Sequence, residues 1–265
     1  MTISAEILCD SMAPNGSRLT TFLLEYPRYI HAELLTHRVF SKNSASSRAI
    51  PIDKMISNVR ENPVKPIFMK NQKGMAASIK MEGEELLKAE REWQTALNLA
   101  CVQAIRLSEL GVHKQIANRV LEPFSHIKVV LSGTEFENFF ELRISPEAQQ
   151  DIQELAIQMR DALLKSKFKF MNKYEWHLPF ITDEEKEDIE ASTLLKISVA
   201  RCARVSYGNF FNDKTLEDDI NLHDKLLASK HMSPFEHVAR PASNNPNVVI
   251  SNFKGWHQLR HMVTK

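Results

Sequence analysis

The stretch RLTTFLLEYPRYIHAELLTHRVFSKNSASSR, residues 18 to 48, decides the fold that we expect. Its first part is rich in β-branched and aromatic residues, and a residue that precedes a proline favours extended backbone, so we predict a strand over about residues 18–26. Pro27 suits a first helical turn, which predicts a short helix from Pro27 to Leu35. The polar segment THRVFSKNSASSR therefore starts where this helix ends.

Helical patterns dominate the rest of the chain. Apolar residues recur at three- and four-residue steps over residues 83–111, which predicts one long core helix that stops near Gly111. We predict further helices over residues 113–123, 134–143, 145–164, 193–207 and 215–229, and a strand over the β-branched run 126–133. Residues 50–77 show no sustained period and are predicted to form an irregular arm with short helical pieces.

Two of these helices carry start signals at their predicted ends. Thr134 with Glu137 three residues later has the spacing of a capping box. Ser145 before Pro146 is typical of a cap followed by a proline in the first helical position. A loop containing Gly208 and Asn209 is predicted to separate the last two helices.

The composition excludes several classes of protein and of binding site. A formal net charge of +1 provides no broad field for a nucleic-acid backbone. Three scattered cysteines form no metal spacing or disulfide framework, which favours a reducing cytoplasm, and the absence of a long apolar run argues against a membrane protein. The chain has only seven glycines and neither common glycine-rich phosphate loop, so we expect side chains to hold any phosphate.

Four arginines stand next to polar or small residues near predicted helix ends and loops: Arg38, Arg48, Arg119 and Arg143. A guanidinium suits phosphate because its planar fork donates two parallel hydrogen bonds and stays charged. Each arginine taken alone is also compatible with an ordinary surface ion pair. Their positions in the sequence leave both interpretations open.

Three other features have competing interpretations. In KHMSPFEHV, residues 230–238, a metal site would use His231, Glu236 and His237, but their spacing fits no zinc signature. The alternative interpretation of this segment is a capped helix start at Ser233. Cys202 lies in an apolar helical pattern, which favours a small core residue over a nucleophile. The segment KGWHQLRHM, residues 254–262, is compatible with a solvated amphipathic helix. We predict no metal site.

Several of these segments together resemble the flavin-dependent thymidylate synthases. THRVFSKNSASSR is similar to the family signature, an Arg-His-Arg followed by a spaced serine and Ser-x-Arg. ANRVLEPF and ENFFELRISPEAQQDI resemble downstream family segments. ARCARVSY and HMSPFEHV also resemble family segments. These segments usually precede the signature, but they follow it here. GWHQLRH resembles a partial second copy of the helix that leads into the signature. The order suggests a circularly permuted or rearranged member.

The resemblance implies a fold, ligands and residue roles. The fold would be α+β, a helix-rich single domain over residues 1–265 with a small, mainly antiparallel sheet. The implied cofactor is FAD, with methylenetetrahydrofolate and NADPH as cosubstrates, in a homotetramer whose sites form between subunits. The implied flavin-binding residues are His37, Arg38, Asn138 and His231. The residues implied to bind dUMP are Glu33, Ser46, Arg48, Arg119 and Arg143, with Arg143 beside the base as the catalytic candidate.

Three positions depart from the family pattern. Thr36 replaces the first signature arginine, Ala49 stands where a tyrosine is usual, and Glu33 replaces a glutamine. Losing a cation beside FAD should weaken flavin binding, and Arg260 from the partial second copy is a candidate replacement. A carboxylate at Glu33 accepts hydrogen bonds where an amide both accepts and donates, which leaves a changed base preference open.

These inferences lead to one expected function and two alternatives. We expect C5 methylation of a pyrimidine nucleotide, with dUMP to dTMP first, in the cytoplasm and without nucleic-acid or membrane partners. The first alternative is a related enzyme that methylates or hydroxymethylates another pyrimidine nucleotide. The second is a homologue that binds a nucleotide or flavin without turnover.

Overall fold

Five strands form the main sheet of the protein, in the order β3-β4-β2-β1-β5. The computed structural model describes residues 3–207, 214–242, 245 and 247–264. The strands of this sheet are β1 (Ser4–Met12), β2 (Arg18–Pro27), β3 (Ser41–Ser44), β4 (His126–Gly133) and β5 (Lys169–Phe170). All neighbours run antiparallel except β1 and β5, which pair in parallel over two residues. The predicted small, mainly antiparallel sheet is confirmed, as are the strands at residues 18–26 and 126–133.

Ten α-helices lie in the described part of the chain, together with short 3-10 segments. The helices are α1 (His31–Leu35), α2 (Ile52–Glu61), α3 (Gly83–Glu109), α4 (Lys114–Ala117), α5 (Glu137–Arg143), α6 (Gln150–Lys165), α7 (Asp183–Asp188), α8 (Ala191–Arg204), α9 (Leu216–Ala228) and α10 (Arg260–Val263). The 3-10 segments are Arg28–Ile30, Ser47–Ala49, Asn118–Phe124, Val205–Tyr207 and Ser233–Glu236. The helix-rich α+β class is therefore confirmed.

Helices cover both faces of the sheet because successive side chains of a strand point to opposite sides. On one face, Phe22 and Leu24 of β2 belong to a core cluster with Ile152 and Leu155 of α6. On the other face, Leu23 packs in a cluster that contains Cys202 of α8. The predicted core position of Cys202 is confirmed, since its side chain is fully buried.

A chain of buried hydrogen bonds crosses the second face. Ser11 Oγ lies 2.9 Å from His177 Nδ1, and His177 Nε2 lies 2.8 Å from Thr21 Oγ1. Thr21 is hydrogen-bonded to Ser132, whose Oγ lies 2.8 Å from His237 Nδ1. Burial lowers the pKa of both histidines to about 3, so both rings stay neutral at physiological pH.

The long helix α3 has the predicted bounds, but the prediction that it is core was wrong for most of its length. Only Leu97, Cys101 and Ala104 are buried, in a cluster with α2. Leu87 and Leu99 of the same helix are more than half exposed. One stripe of apolar residues suffices to hold a helix against its neighbour, so periodicity alone overestimates its burial.

Both predicted start signals were wrong. Helix α5 begins at Glu137, and Thr134 Oγ1 instead accepts a hydrogen bond from the backbone N–H of Lys254. Helix α6 begins at Gln150, where the side chain of Gln149 accepts from the first backbone N–H groups, while Ser145 precedes a separate turn. In each case the hydroxyl residue lies outside the helix that it was predicted to cap.

Three further predictions need correction. The arm over residues 50–77 contains the ten-residue helix α2, and the predicted helix over 113–123 consists of the short α4 and a 3-10 segment. Residues 254–262 are not one amphipathic helix, because they contribute to β8 (Phe253–Lys254), β9 (Trp256–Gln258) and the start of α10. Strand β8 pairs with β7 (Val249–Ile250), and β9 pairs with β6 (Ala239–Pro241). The loop predicted at Gly208 and Asn209 lies outside the described residues.

Candidate functional site

The polar segment that follows α1 lies at the edge of the main sheet, because it forms the edge strand β3. Strand alternation buries Ser41 and Asn43, while the side chains of Lys42 and Ser44 are only partly buried. His37 precedes the strand and is buried, with its ring edge-on to Phe139 of α5 at a centroid distance of 4.9 Å. The fold therefore places alternate polar residues of this segment in different environments.

Arg143, the last residue of α5, holds the turn before β3. Its Nε donates to His37 Nε2 over 2.9 Å, and its terminal nitrogens lie 3.2 Å from Glu33 Oε2 and 3.2 Å from Thr36 Oγ1. Burial, and then the positive charges of Arg143 and Lys42, lower the pKa of His37. His37 is thus a neutral acceptor, and three predicted site residues, Glu33, His37 and Arg143, form one hydrogen-bonded group.

A second group lines a cavity of about 360 Å³ beside this one. Ser46, Arg48 and His231, three residues singled out in the sequence, all line it. Arg48 and His231 have exposed side chains, so both can reach a bound molecule. Lys42 lines the same cavity, and its Nζ donates to the backbone oxygen of His37 over 2.5 Å. Lys42 therefore connects the cavity to the group around Arg143.

Arg48 lies on a 3-10 turn that the 3-10 segment Asn118–Phe124 holds in place. The fully buried Asn118 donates to the backbone oxygens of Ser47 and Ile50, over 2.8 and 2.9 Å. Ser47 Oγ donates to Glu122 Oε1 over 2.6 Å. Sequence reasoning missed Asn118 because its role depends on a contact 71 positions away in the chain.

Arg119 projects beside this turn rather than into the cavity. Its guanidinium donates to both carboxylate oxygens of Glu122, over 3.0 and 3.2 Å, and 60% of its side chain is exposed. The surface ion pair that the sequence left open is therefore present. Glu122 nevertheless joins Arg119 to Ser47, next to Arg48, so Arg119 lies at the margin of the candidate site.

The segments from the C-terminal part of the chain complete the cavity. Asn43 of β3 donates to the backbone oxygen of Cys202 over 2.7 Å and to Ser206 Oγ over 3.3 Å. Ser233 Oγ donates to Asn43 Oδ1 over 3.3 Å, so it contacts the signature instead of capping a helix. A helix does start at Ser233 with Pro234 in its first turn, but it is a 3-10 turn with Met232 at the cap position, so the predicted cap at Ser233 was wrong.

Arg260 lies behind the same cavity wall. Its guanidinium forms an ion pair with Glu236, and Gln258 on the preceding strand donates to Ser41 Oγ over 2.9 Å. The segment that resembles a partial second copy of the helix entering the signature thus packs against the signature itself.

Two other predicted flavin residues, Arg38 and Asn138, have exposed side chains. Arg38 follows His37, and Asn138 lies in the first turn of α5, the helix that ends at Arg143. Neither residue lines the cavity beside β3. The structure thus brings together most of the predicted site residues and leaves these two on the neighbouring surface.

The three groups of the metal alternative do not converge. His237 is buried against Ser132, Glu236 pairs with Arg260, and His231 lines the cavity. Within the residues that the structure describes, no group of three or more His, Cys, Asp or Glu side chains has a metal-binding arrangement. In that same part of the chain, no helix combines the length and apolar character that crossing a membrane requires.

A larger cavity lies at the other edge of the sheet, beside β1. It measures about 920 Å³, and its lining includes Lys165, Lys167, Lys169 and Lys186. None of the predicted site residues lines it. We assign the candidate site to the smaller cavity because hydroxyl, guanidinium and imidazole groups from three separate segments meet there.

Comparison with known proteins gives matches to one family and to solved structures. The model of the family Thy1, thymidylate synthase complementing protein, matches residues 18–167. Among solved structures, the UMP/dUMP methylase PolB from Streptomyces cacaoi bound with 5-Br UMP has 18% sequence identity and a TM-score of 0.50. That match covers 62% of this chain and 89% of that chain, and it shows a similar fold.

A second solved structure is the flavin-dependent thymidylate synthase ThyX from Helicobacter pylori complexed with FAD and dUMP. It has 22% identity and a TM-score of 0.37, and the match covers 55% of this chain and 67% of that chain. No curated protein matches the chain. The family match contains the signature, Arg119 and Arg143, whereas His231 and Arg260 lie beyond its end.

Proposed function

Because the chain belongs to the family of flavin-dependent thymidylate synthases, an enzyme family, we propose that it methylates C5 of a pyrimidine nucleotide, converting dUMP to dTMP. In this proposal reduced FAD would supply the hydride and methylenetetrahydrofolate the carbon, and NADPH would reduce the flavin again. The observation that carries the proposal is the pair of adjoining groups around β3. One contains Arg143, His37 and Glu33, and the other contains Ser46, Arg48 and His231.

The cavity fits a nucleotide monophosphate by its chemistry. Arg48 and Ser46 offer a guanidinium fork and a hydroxyl group, the donors that a phosphate or a sugar accepts. Asn118 and Glu122 fix the turn that carries Arg48, so less freedom is lost when Arg48 binds an anion. Arg119 at the margin would extend this binding surface toward solvent.

Arg143 is the proposed catalytic residue because it can stabilise negative charge that develops on the pyrimidine ring. A guanidinium fixed on a helix and held by His37 needs little rearrangement to do so. His37 accepts from Arg143 with its Nε2, so its Nδ1 carries the proton and is available to a ligand. Glu33, which pairs with Arg143, would then be positioned beside the base.

The residues present also fit a flavin dinucleotide. Five predicted flavin residues lie in or next to the signature: His37, Arg38, Asn138, His231 and Arg260. The side chains of Arg38 and Asn138 are exposed, which agrees with a cofactor site shared with a neighbouring subunit. We therefore retain the homotetramer with intersubunit sites as part of the proposal. The single-domain organisation, the rearranged order of segments and the cytoplasmic location also remain predictions.

A second candidate function is the modification of another pyrimidine nucleotide, either by methylation or by hydroxymethylation. The observation that favours it is the carboxylate of Glu33, which lies beside Arg143 where the family pattern has an amide. PolB, with a similar fold, is described as a UMP/dUMP methylase, which extends the test to UMP. A binding protein without turnover is the third possibility to be tested.

One experiment separates these functions. The purified protein is supplied anaerobically with methylenetetrahydrofolate, NADPH and either dUMP, UMP or dCMP, and the flavin absorption and the nucleotide mass are followed. A dUMP product heavier by one methylene unit supports thymidylate synthesis, and a product from another nucleotide, or one carrying an additional oxygen, supports the second function. Bound flavin without any product would overturn both enzyme assignments in favour of a binding protein, and the absence of bound flavin would contradict the proposed cofactor.

A further inference from the structure

Lys42 connects the two groups of the candidate site, and it is not among the residues that the family resemblance assigns to FAD or dUMP. Its amine donates to the backbone oxygen of His37, and its side chain lines the cavity of Ser46, Arg48 and His231. The amine also lies 5.9 Å from the centroid of the Phe40 ring. These contacts hold the lysine between the two groups, within the lining of the cavity.

Thr36 supplies no positive charge at the position where the family pattern has its first arginine. Its hydroxyl donates to the backbone oxygen of Glu33 over 2.6 Å and accepts from Arg143 over 3.2 Å. The side chain is therefore fully used within the turn. A cation for this side of the site has to come from another position.

The carboxylate of Glu236 acts electrostatically on two cations, Arg260 and Lys42. Glu236 forms an ion pair with Arg260, and its negative charge raises the pKa of Lys42, but burial is the larger effect and lowers that pKa to about 8. Two positive charges and one negative charge leave this trio with a net charge of +1. Partial burial strengthens the interactions among these charges because less water screens them, while it lowers the pKa of Lys42 itself.

We propose that Lys42 binds a phosphate group of the ligand that spans the two groups and so replaces the cation missing at Thr36, with Glu236 weakening that binding. The phosphate chemistry is shared by FAD and by dUMP, and assigning it to either ligand rests on the proposed function. An ammonium group suits this role as a compact point charge that donates in several directions.

The test uses variants of opposite expected sign. Lys42→Met keeps the length and apolar stem of the side chain but removes its charge, so binding should weaken by roughly tenfold or more. Lys42→Arg keeps the charge and should retain most of the affinity. Glu236→Gln removes the opposing carboxylate, so it should tighten binding of the same ligand.

Dissociation constants are measured for FAD by flavin fluorescence, for dUMP by calorimetry, and for riboflavin as a ligand without phosphate. The proposal is supported if FAD or dUMP binds more weakly to Lys42→Met, with retained affinity for Lys42→Arg, and more tightly to Glu236→Gln. Riboflavin binding should be unchanged in all three variants. Equal weakening for riboflavin, or weaker binding in both Lys42→Met and Glu236→Gln, would show a structural role and overturn it.

A probe independent of the enzyme reaction distinguishes the two levels of inference. Inorganic pyrophosphate should raise the thermal unfolding temperature of the unaltered protein and of Lys42→Arg, and should raise it less for Lys42→Met. If that pattern appears while neither FAD nor dUMP binds, the anion site stands and the proposed function fails. An equal response to pyrophosphate in all variants would overturn the role of Lys42 whatever the fate of the proposed function.

Discussion

Replacing Arg143 by alanine tests the centre of the candidate site. The guanidinium donates to His37, Glu33 and Thr36, and 20% of the side chain is exposed. A charge-assisted hydrogen bond to a nucleotide contributes about 1.5 to 3 kcal/mol, so the dissociation constant for dUMP should rise by about 10- to 150-fold. We expect no comparable change in the fold, because α5 is held mainly by the buried Phe139.

The stability cost can be bounded from the same contacts. The Glu33 carboxylate is about one third exposed, so its pair with Arg143 contributes at most about 1 kcal/mol, and the bond to His37 adds about 1 kcal/mol. The melting temperature should therefore fall by only about 2 to 8 °C.

Calorimetric titration with dUMP and thermal unfolding followed by circular dichroism measure the two effects on the same preparation. Glu33→Gln is the matched control, because it removes the charge paired with Arg143 and leaves the guanidinium in place. That variant should bind dUMP equally well or up to about fivefold more tightly. A folded Arg143→Ala protein with unchanged dUMP affinity would refute the placement of Arg143 at the nucleotide.

Three further predictions concern the surrounding structure. Asn118→Ala removes both hydrogen bonds to the turn that carries Arg48, so it should weaken dUMP binding and lower the free energy of unfolding by about 1 to 3 kcal/mol. Calorimetry measures the dUMP affinity and urea unfolding measures the stability. If neither quantity changed, the role of Asn118 would be contradicted. Gly255→Ala should lower the melting temperature of the protein more than Gly111→Ala. Both glycines have a positive φ, but of the two only Gly255 would place a Cβ 2.4 Å from another side chain. Equal melting temperatures for the two variants would contradict this prediction. The pKa values of His177 and His237 are lowered from 6.5 to about 3, so between about pH 3 and 6.5 the unfolded chain binds more protons than the folded one. The free energy of unfolding should therefore fall on acidification, by up to about 1.4 kcal/mol per pH unit for each ring. Urea unfolding at several pH values measures this slope, and a flat profile would count against it.

The elements that the sequence predicted well are those whose signals are local. Strand β2 is marked by its β-branched and aromatic residues, and the helical pattern over residues 215–229 predicted α9, which begins at Leu216 directly after its cap residue Thr215. The strands near residue 256 could not be predicted in this way. Strand β9 exists because Gln258 pairs with Ala239, a partner that no local pattern identifies.

Similar reasoning explains which site residues were found. The density of polar groups in THRVFSKNSASSR drew attention to the segment, but Ser46 and Arg48 became candidate site residues through the resemblance of this segment to the family signature. Asn118 is a single amide in a helical pattern, and its importance follows only from its contacts with Ser47 and Ile50. Residues that position others give no compositional signal, since one ordinary side chain suffices for the task.

The geometry of the cavity also explains how a rearranged order of segments is compatible with one site. Strand β3 is an edge strand, so one of its sides is free to receive other parts of the chain. Cys202, Ser206 and Ser233 meet Asn43 on this strand through hydrogen bonds that depend on position in space and not on order along the chain. A family segment that follows the signature can therefore contact it as well as one that precedes it, provided that the connecting chain reaches. The same edge strand carries Lys42, which lines the cavity and which we propose as the replacement for the cation missing at Thr36.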